Sequence, residues 1–209
     1  MGIFLVTILA MIGLLGPTLK SVSDVEKTDE VVSVVNTVNA FLQSSPDIGD
    51  QTATPPVTKF DAIYRAVVSD DHATIFVFRR FEDDTSTEVE LEIGFRGDNG
   101  VNPAAELAAA DFNNLAGPVY RVVLSASSVM PEATLESPTR DSDTGVFSLA
   151  ESDPADYPEG YLALEVRIFD LETDTTGSAG GSGAVPPESD LETLSELDPL
   201  FTYDTAVVR

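Results

Sequence analysis

Residues 2–19, GIFLVTILAMIGLLGPTL, carry no charge, and residues 20–43, KSVSDVEKTDEVVSVVNTVNAFLQ, follow without a turn signal until Ser44-Ser45-Pro46. The uncharged run is 18 residues long. As a helix it measures about 27 Å, close to the roughly 30 Å of a hydrocarbon core. In the second stretch Val31, Val35, Val38 and Leu42 recur at i, i+4, i+7 and i+11, one face of a helix. The two stretches together predict a stalk over residues 1–45, apolar and then amphipathic. Its face Val31/Val35/Val38/Leu42 is expected to dock on the rest of the chain.

A cleavable secretory signal fits this run poorly. Such a signal opens with a basic region, and here the first lysine, Lys20, comes after the run. A membrane-spanning helix is the better reading, with Pro17 of Gly16-Pro17 removing a backbone donor and loosening the helix.

This N-terminal segment resembles the first helix of type IV pilins and of type II secretion pseudopilins. In that family a basic leader ends in glycine, a helix begins with phenylalanine and carries a nearby glutamate, and a proline or glycine weakens it midway. Met1-Gly2-Ile3-Phe4 with LVTILAMIGLLGPTLK is similar to the middle of such a helix, and Gly16-Pro17 matches the weak point. No basic leader and no glutamate within the apolar run is visible, so Met1 is read as an internal methionine, with the leader and helix start preceding it. The resemblance covers about the first 42 residues. It implies a structural subunit of a pilus-like or secretion-like filament, and the chain's length and irregular, linker-bearing body favour a minor one. Its partners would be other pilin-like subunits and the cell membrane, crossed once, with the head on the extracytoplasmic side. The residues implied for membrane and inter-subunit packing are Ile3, Phe4, Leu5, Val6, Ile8, Leu9, Ile12, Leu14 and Leu15, with Pro17 for flexibility. The rival reading is a membrane-anchored extracytoplasmic binding domain that does not polymerise.

The remaining residues, 46–209, are long enough for a core of their own. Runs rich in β-branched and aromatic residues predict strands at Phe60–Ser69, His72–Phe81, Glu88–Phe95, Pro118–Ala126, Tyr161–Asp170 and Phe201–Val208. Asp70-Asp71 reads as a tight hairpin turn between the first two. Pro103–Leu115 reads as a helix, with proline in its first turn. Residues 176–189, TGSAGGSGAVPPES, have the composition of a flexible loop. The fold class predicted is therefore α+β, a long N-terminal helix packed on an antiparallel β-sheet head.

The chemistry carried by the composition is sparse. There are 36 acidic residues against 11 basic ones, for a net charge of −25. That excludes a phosphate-binding surface for nucleic acid, which needs clustered Lys and Arg. Without cysteine and with one histidine, His72, neither thiolate chemistry nor a multi-histidine metal site is available. No Gly-x-Ser-x-Gly elbow accompanies His72, so no catalytic residue and no cofactor is expected. Asp141 and Asp143, with Gly145 and Glu151, are the one suggestion of a calcium loop. Calcium takes six to eight oxygens, so an ordinary turn is the better reading of these two carboxylates.

Overall fold

The computed structural model describes residues 28–44, 58–82, 87–96, 106–107, 112, 114–129, 139–149, 153–171 and 197–209. The chain divides into two units, Met1–Thr37 and Val38–Arg209. The stalk-packing residues Ile3 to Pro17 and the loop 176–189 lie outside the described residues.

Helix α1 is described over 28–43. Helix α2 is Lys59–Ser69. The strands are β1 (His72–Phe81), β2 (Val89–Arg96), β3 (Glu106–Leu107), β4 (Leu115–Ala126), β5 (Thr139–Arg140), β6 (Phe147–Ser148), β7 (Tyr161–Leu171) and β8 (Phe201–Val208). One eight-stranded sheet holds them all. Its long strands run β2-β1-β4-β7-β8, antiparallel throughout. β3 adds to the outer side of β2 in parallel, and the β5–β6 hairpin joins the end of β4 through Ala126 and Phe147.

Strand register sorts the core into two faces. Ala73, Ile75 and Val77 of β1 share a face with Val122, Leu124 and Ala126 of β4 and with Leu162, Leu164, Val166 and Ile168 of β7. All ten are buried. The end of α1 lies on this face, where the Phe41 ring meets Phe95 edge-on with centroids 5.5 Å apart. α2 lies beside it, tied to α1 through Lys59. On the opposite face Phe76, Phe78 and Val119 form a cluster with Leu107 and Phe112. Phe112 stacks on Phe78 at 4.7 Å and meets Phe76 edge-on at 5.8 Å.

The predicted fold class is corrected here. No long N-terminal helix occurs among the described residues; they hold two short α-helices and a sheet that dominates the fold. The sheet face assigned to a single stalk is covered in large part by α2, which the sequence reading took for a strand. Phe60, Ile63, Tyr64 and Val67 of α2 follow i, i+3, i+4, i+7 and are all buried. Its start carries a capping box, in which the Thr58 hydroxyl accepts from Asp61 N at 3.1 Å and the Asp61 carboxylate accepts from Thr58 N at 3.1 Å. Aromatic and β-branched content suggested a strand at residues 60–69, but period and cap decide for the helix. Asp70-Asp71 accordingly joins a helix to β1 rather than closing a hairpin, with Asp71 at φ 61°.

The predicted helix Pro103–Leu115 is also overturned. Glu106–Leu107 pairs with Phe95–Arg96 as a strand, and Leu115 already belongs to β4. Leu107 and Phe112 are buried with Phe76 and Phe78, so strand pairing and core packing place these two residues. Strands β1 and β8 match the predicted bounds, and β2, β4 and β7 differ by one to three residues at their ends.

Candidate functional site

Asp141–Gly145 closes the hairpin between β5 and β6. Asp141 Oδ1 accepts from Asp143 N at 2.7 Å, Thr144 N at 2.8 Å and Thr144 Oγ1 at 3.2 Å. These bonds, that from Thr144 N first and then that from Asp143 N, hold the carboxyl below its ordinary range. Gly145 sits at φ +67°, where glycine avoids the strain a side chain would meet. The carbonyls that would complete an oxygen shell are engaged by cations already. Arg167 Nη1 donates to Thr144 O at 3.1 Å, and Arg140 Nε and Arg167 Nη2 both donate to Gly145 O. Arg167 is held in turn by Glu165 at 2.7 Å. Two guanidinium groups on one loop oppose a further cation. Among the described residues no group of three or more metal-capable side chains converges. Asp141 works as the turn's cap, an Asx arrangement that stabilises the loop itself.

His72 opens β1 with Nδ1 2.7 Å from Asp70 O, a local contact within the turn that precedes it.

The four predicted docking positions fall on α1 as follows. Val38 and Leu42 are fully buried, at 0% exposure, and Val31 and Val35 are half-buried. Val34 and Phe41 are buried as well, so the buried stripe is Val34, Val38, Phe41 and Leu42. It is displaced by one residue from the predicted face, because aromatic Phe41 claims a place in the core.

Sequence reasoning missed the residue that fixes the end of this helix. Lys59, the first residue of α2, is 1% exposed. Its ammonium donates to Phe41 O, to Ser44 O at 3.0 Å and to Ser44 Oγ at 2.8 Å, and lies 4.9 Å from the centroid of the Phe41 ring. A cation there satisfies carbonyls that a helix end leaves open and faces the negative end of the helix dipole. Burial lowers its pKa from the ordinary 10.5. A second tie lies further along, where Thr205 Oγ1 of β8 donates to Asn39 Oδ1 at 3.0 Å. The Thr58-x-x-Asp61 box was the signal that places Lys59 at a helix start.

A second cluster joins α2 to the 3-10 turn Pro154–Asp156. The rings of Phe60, Tyr64 and Tyr157 lie within 5.1 to 5.9 Å of one another. Arg209 covers the Phe60 ring at 5.4 Å and donates to Tyr157 O at 3.1 Å and Pro154 O at 2.9 Å. The Tyr157 hydroxyl is buried with no hydrogen-bond partner among the described residues. Burial, and next the neighbouring Tyr64, push its pKa up to about 12.

No family model, no curated protein and no solved structure matches this chain. Among the described residues no helix is long and apolar enough to cross a membrane.

Proposed function

We infer that this chain is a pilin-like or pseudopilin-like subunit of the minor kind. The uncharged residues 2–19 anchor it in the cell membrane and pack against neighbouring subunits, and the acidic head stands outside the cytoplasm. One observation carries the reading: an 18-residue run without charge precedes, on the same chain, a helix whose last turns, Val38 to Leu42, are built into the core of a sheet-based head. The clamp of Lys59 on Phe41 O and Ser44 holds those last turns within the head. The roles of this protein are structural, with no catalytic centre and no cofactor.

The test is expression of the full chain in its native host, followed by shearing of the cells and separation of filaments from membranes. The expected result is chain in both fractions, with antibodies to the head labelling filaments in electron micrographs. Leu9→Lys places a charge at the middle of the run, which costs about 3 kcal/mol at a helix centre in the bilayer, and should empty both fractions. Recovery of the wild-type chain only from membranes, as a species that detergent disperses, would refute the filament role and leave an anchored binding domain.

A further inference from the structure

The two ends of the sheet are defended differently. At one end β2 carries the exposed side chain of Glu90, with Glu88 exposed just before it and Glu92 paired to Arg80 at 3.1 Å. Part of this edge is closed by β3. Charge and a short covering strand are common ways of keeping an edge from pairing with another chain. At the other end, β8 pairs with β7 alone among the described residues. Its sequence, FTYDTAVV, has no Lys, no Pro and a register without a bulge. In a chain of net charge −25 this strand carries one acid, Asp204, and Ser127 Oγ donates to that carboxylate at 2.8 Å. Large apolar side chains stand exposed along it and just before it: Phe201 and Val208 at 45% and 54%, and Leu200 at 46%.

The pairing pattern fixes which backbone groups face away from β7. Arg209 N donates to Gly160 O, in step with the register Phe201↔Ile168 to Tyr161↔Val208. The odd-numbered residues of β8 therefore point their N–H and C=O groups at β7, and Thr202, Asp204, Ala206 and Val208 point theirs outward. A second copy pairing antiparallel about a two-fold axis must centre that axis on one residue opposite itself. Centred on Asp204, the axis would set two carboxylates face to face, which is destabilising. Centred on Thr205, it sets Thr205 against Thr205, Asp204 against Ala206, Tyr203 against Val207, Thr202 against Val208 and Phe201 against Arg209. No like charges meet in that register, and every outward backbone group from Thr202 to Val208 finds a partner.

We propose that β8 is a homodimerisation edge, two copies of this chain pairing β8 antiparallel about an axis at Thr205. The contact is small, and two chains of net charge −25 repel, so the dimer is weak and strengthens with salt. This inference does not rest on the filament reading.

The native chain has no cysteine, so single cysteines report the register in the full chain held in detergent. Facing residues of a non-hydrogen-bonded antiparallel pair lie about 4.5 Å apart at Cα, within the roughly 4.4–6.8 Å that a disulfide spans. Thr205→Cys should give most of the protein as disulfide dimer under mild oxidation. Thr202→Cys lies six residues from its own copy in this register, about 20 Å, and should stay monomeric. Adding Thr202→Lys and Val208→Lys to the Thr205→Cys chain should abolish the dimer, and Thr202→Lys with Val208→Glu should restore it. Thr202 and Val208 are exposed, so these changes leave the fold intact. Cross-linking through the apolar run, or pairing of β8 with some other protein, would give equal yields at 202 and 205 or none at either. Either result overturns the proposal, as does indifference to the charge exchange.

Discussion

Lys59 joins two helices through one ammonium group, and removing that group should be felt on both sides. Lys59→Met keeps the aliphatic bulk but takes the ammonium from Ser44 O and leaves Phe41 O with the Ser44 hydroxyl alone. A charge-assisted bond contributes about 1.5–3 kcal/mol net, so the expected loss is about 2 kcal/mol, read from the midpoint of urea unfolding. An unchanged midpoint would show that water replaces the ammonium without cost. Burial also gives this lysine a pH signature. Its folded pKa is lowered, so the folded state sheds the proton first and stability rises as pH climbs towards 10.5. Tyr157 and Tyr203 act in the opposite direction. Both are pushed from 10.0 up to about 12, chiefly by burial. Their contribution is complete below pH 10 and is lost as pH rises from 10 through 12, because the unfolded chain releases those protons more readily. In an alkaline titration two of the five tyrosines should ionise late, close to pH 12 and together with unfolding. Full tyrosinate absorbance at pH 11 in a chain that keeps its circular dichroism would contradict this.

At the level of elements, the last turns of α1, Val38 to Leu42, and α2 lie on one sheet face, and those turns can be tested directly. Leu42→Ala removes a fully buried side chain between helix and sheet. Such truncations cost about 2–5 kcal/mol. The same change at exposed Val32 should alter stability by less than about 0.5 kcal/mol. Equal effects at the two positions would mean that the helix end is not part of the core. The strands were legible because alternation is a direct consequence of a two-faced sheet. Leu162 to Ile168 shows it plainly, and β1 and β8 could be bounded from their sequences. What misled was composition used where period was needed. KFDAIYRAVVS is rich in aromatic and branched residues, yet its apolar positions repeat at three and four, and its cap is written in Thr58 and Asp61. The opposite error befell Glu106 and Leu107, read into a helix from their alanine-rich surroundings, although they pair as a strand and Leu107 joins the core of Phe76 and Phe78. The calcium suggestion at Asp141 and Asp143 is discounted on ligand count. The two arginines that occupy the loop's carbonyls come from β5 and from β7, and no local pattern could reveal Arg167 there.

For the whole molecule the dominant quantity is charge. With 36 acids and 11 bases, the compact state brings like charges together, and the unfolded chain relieves that repulsion by expanding. Screening should therefore stabilise the fold. The Debye length falls from about 10 Å at 0.1 M salt to about 3 Å at 1 M, so most pairs of surface carboxylates cease to interact over that range. A gain of even 1 kcal/mol moves the melting temperature of a chain this size by about 2–4 °C, and a rise of at least that much is expected between the two conditions. Magnesium and calcium should act alike at equal concentration, since the Asp141 carboxylate is committed to Asp143 N and Thr144 N and its neighbouring carbonyls to arginine. Specific binding to the folded chain would add a separate increment that grows with occupancy. Melting in sodium chloride, magnesium and calcium, on the native chain and on Asp141→Ala, separates the two effects. Parallel rises in all salts, in both proteins, are the expected result. A calcium-selective rise that disappears with Asp141→Ala would show that the loop exchanges its arginines for the ion, and that the acidity of the head serves binding as well as solubility.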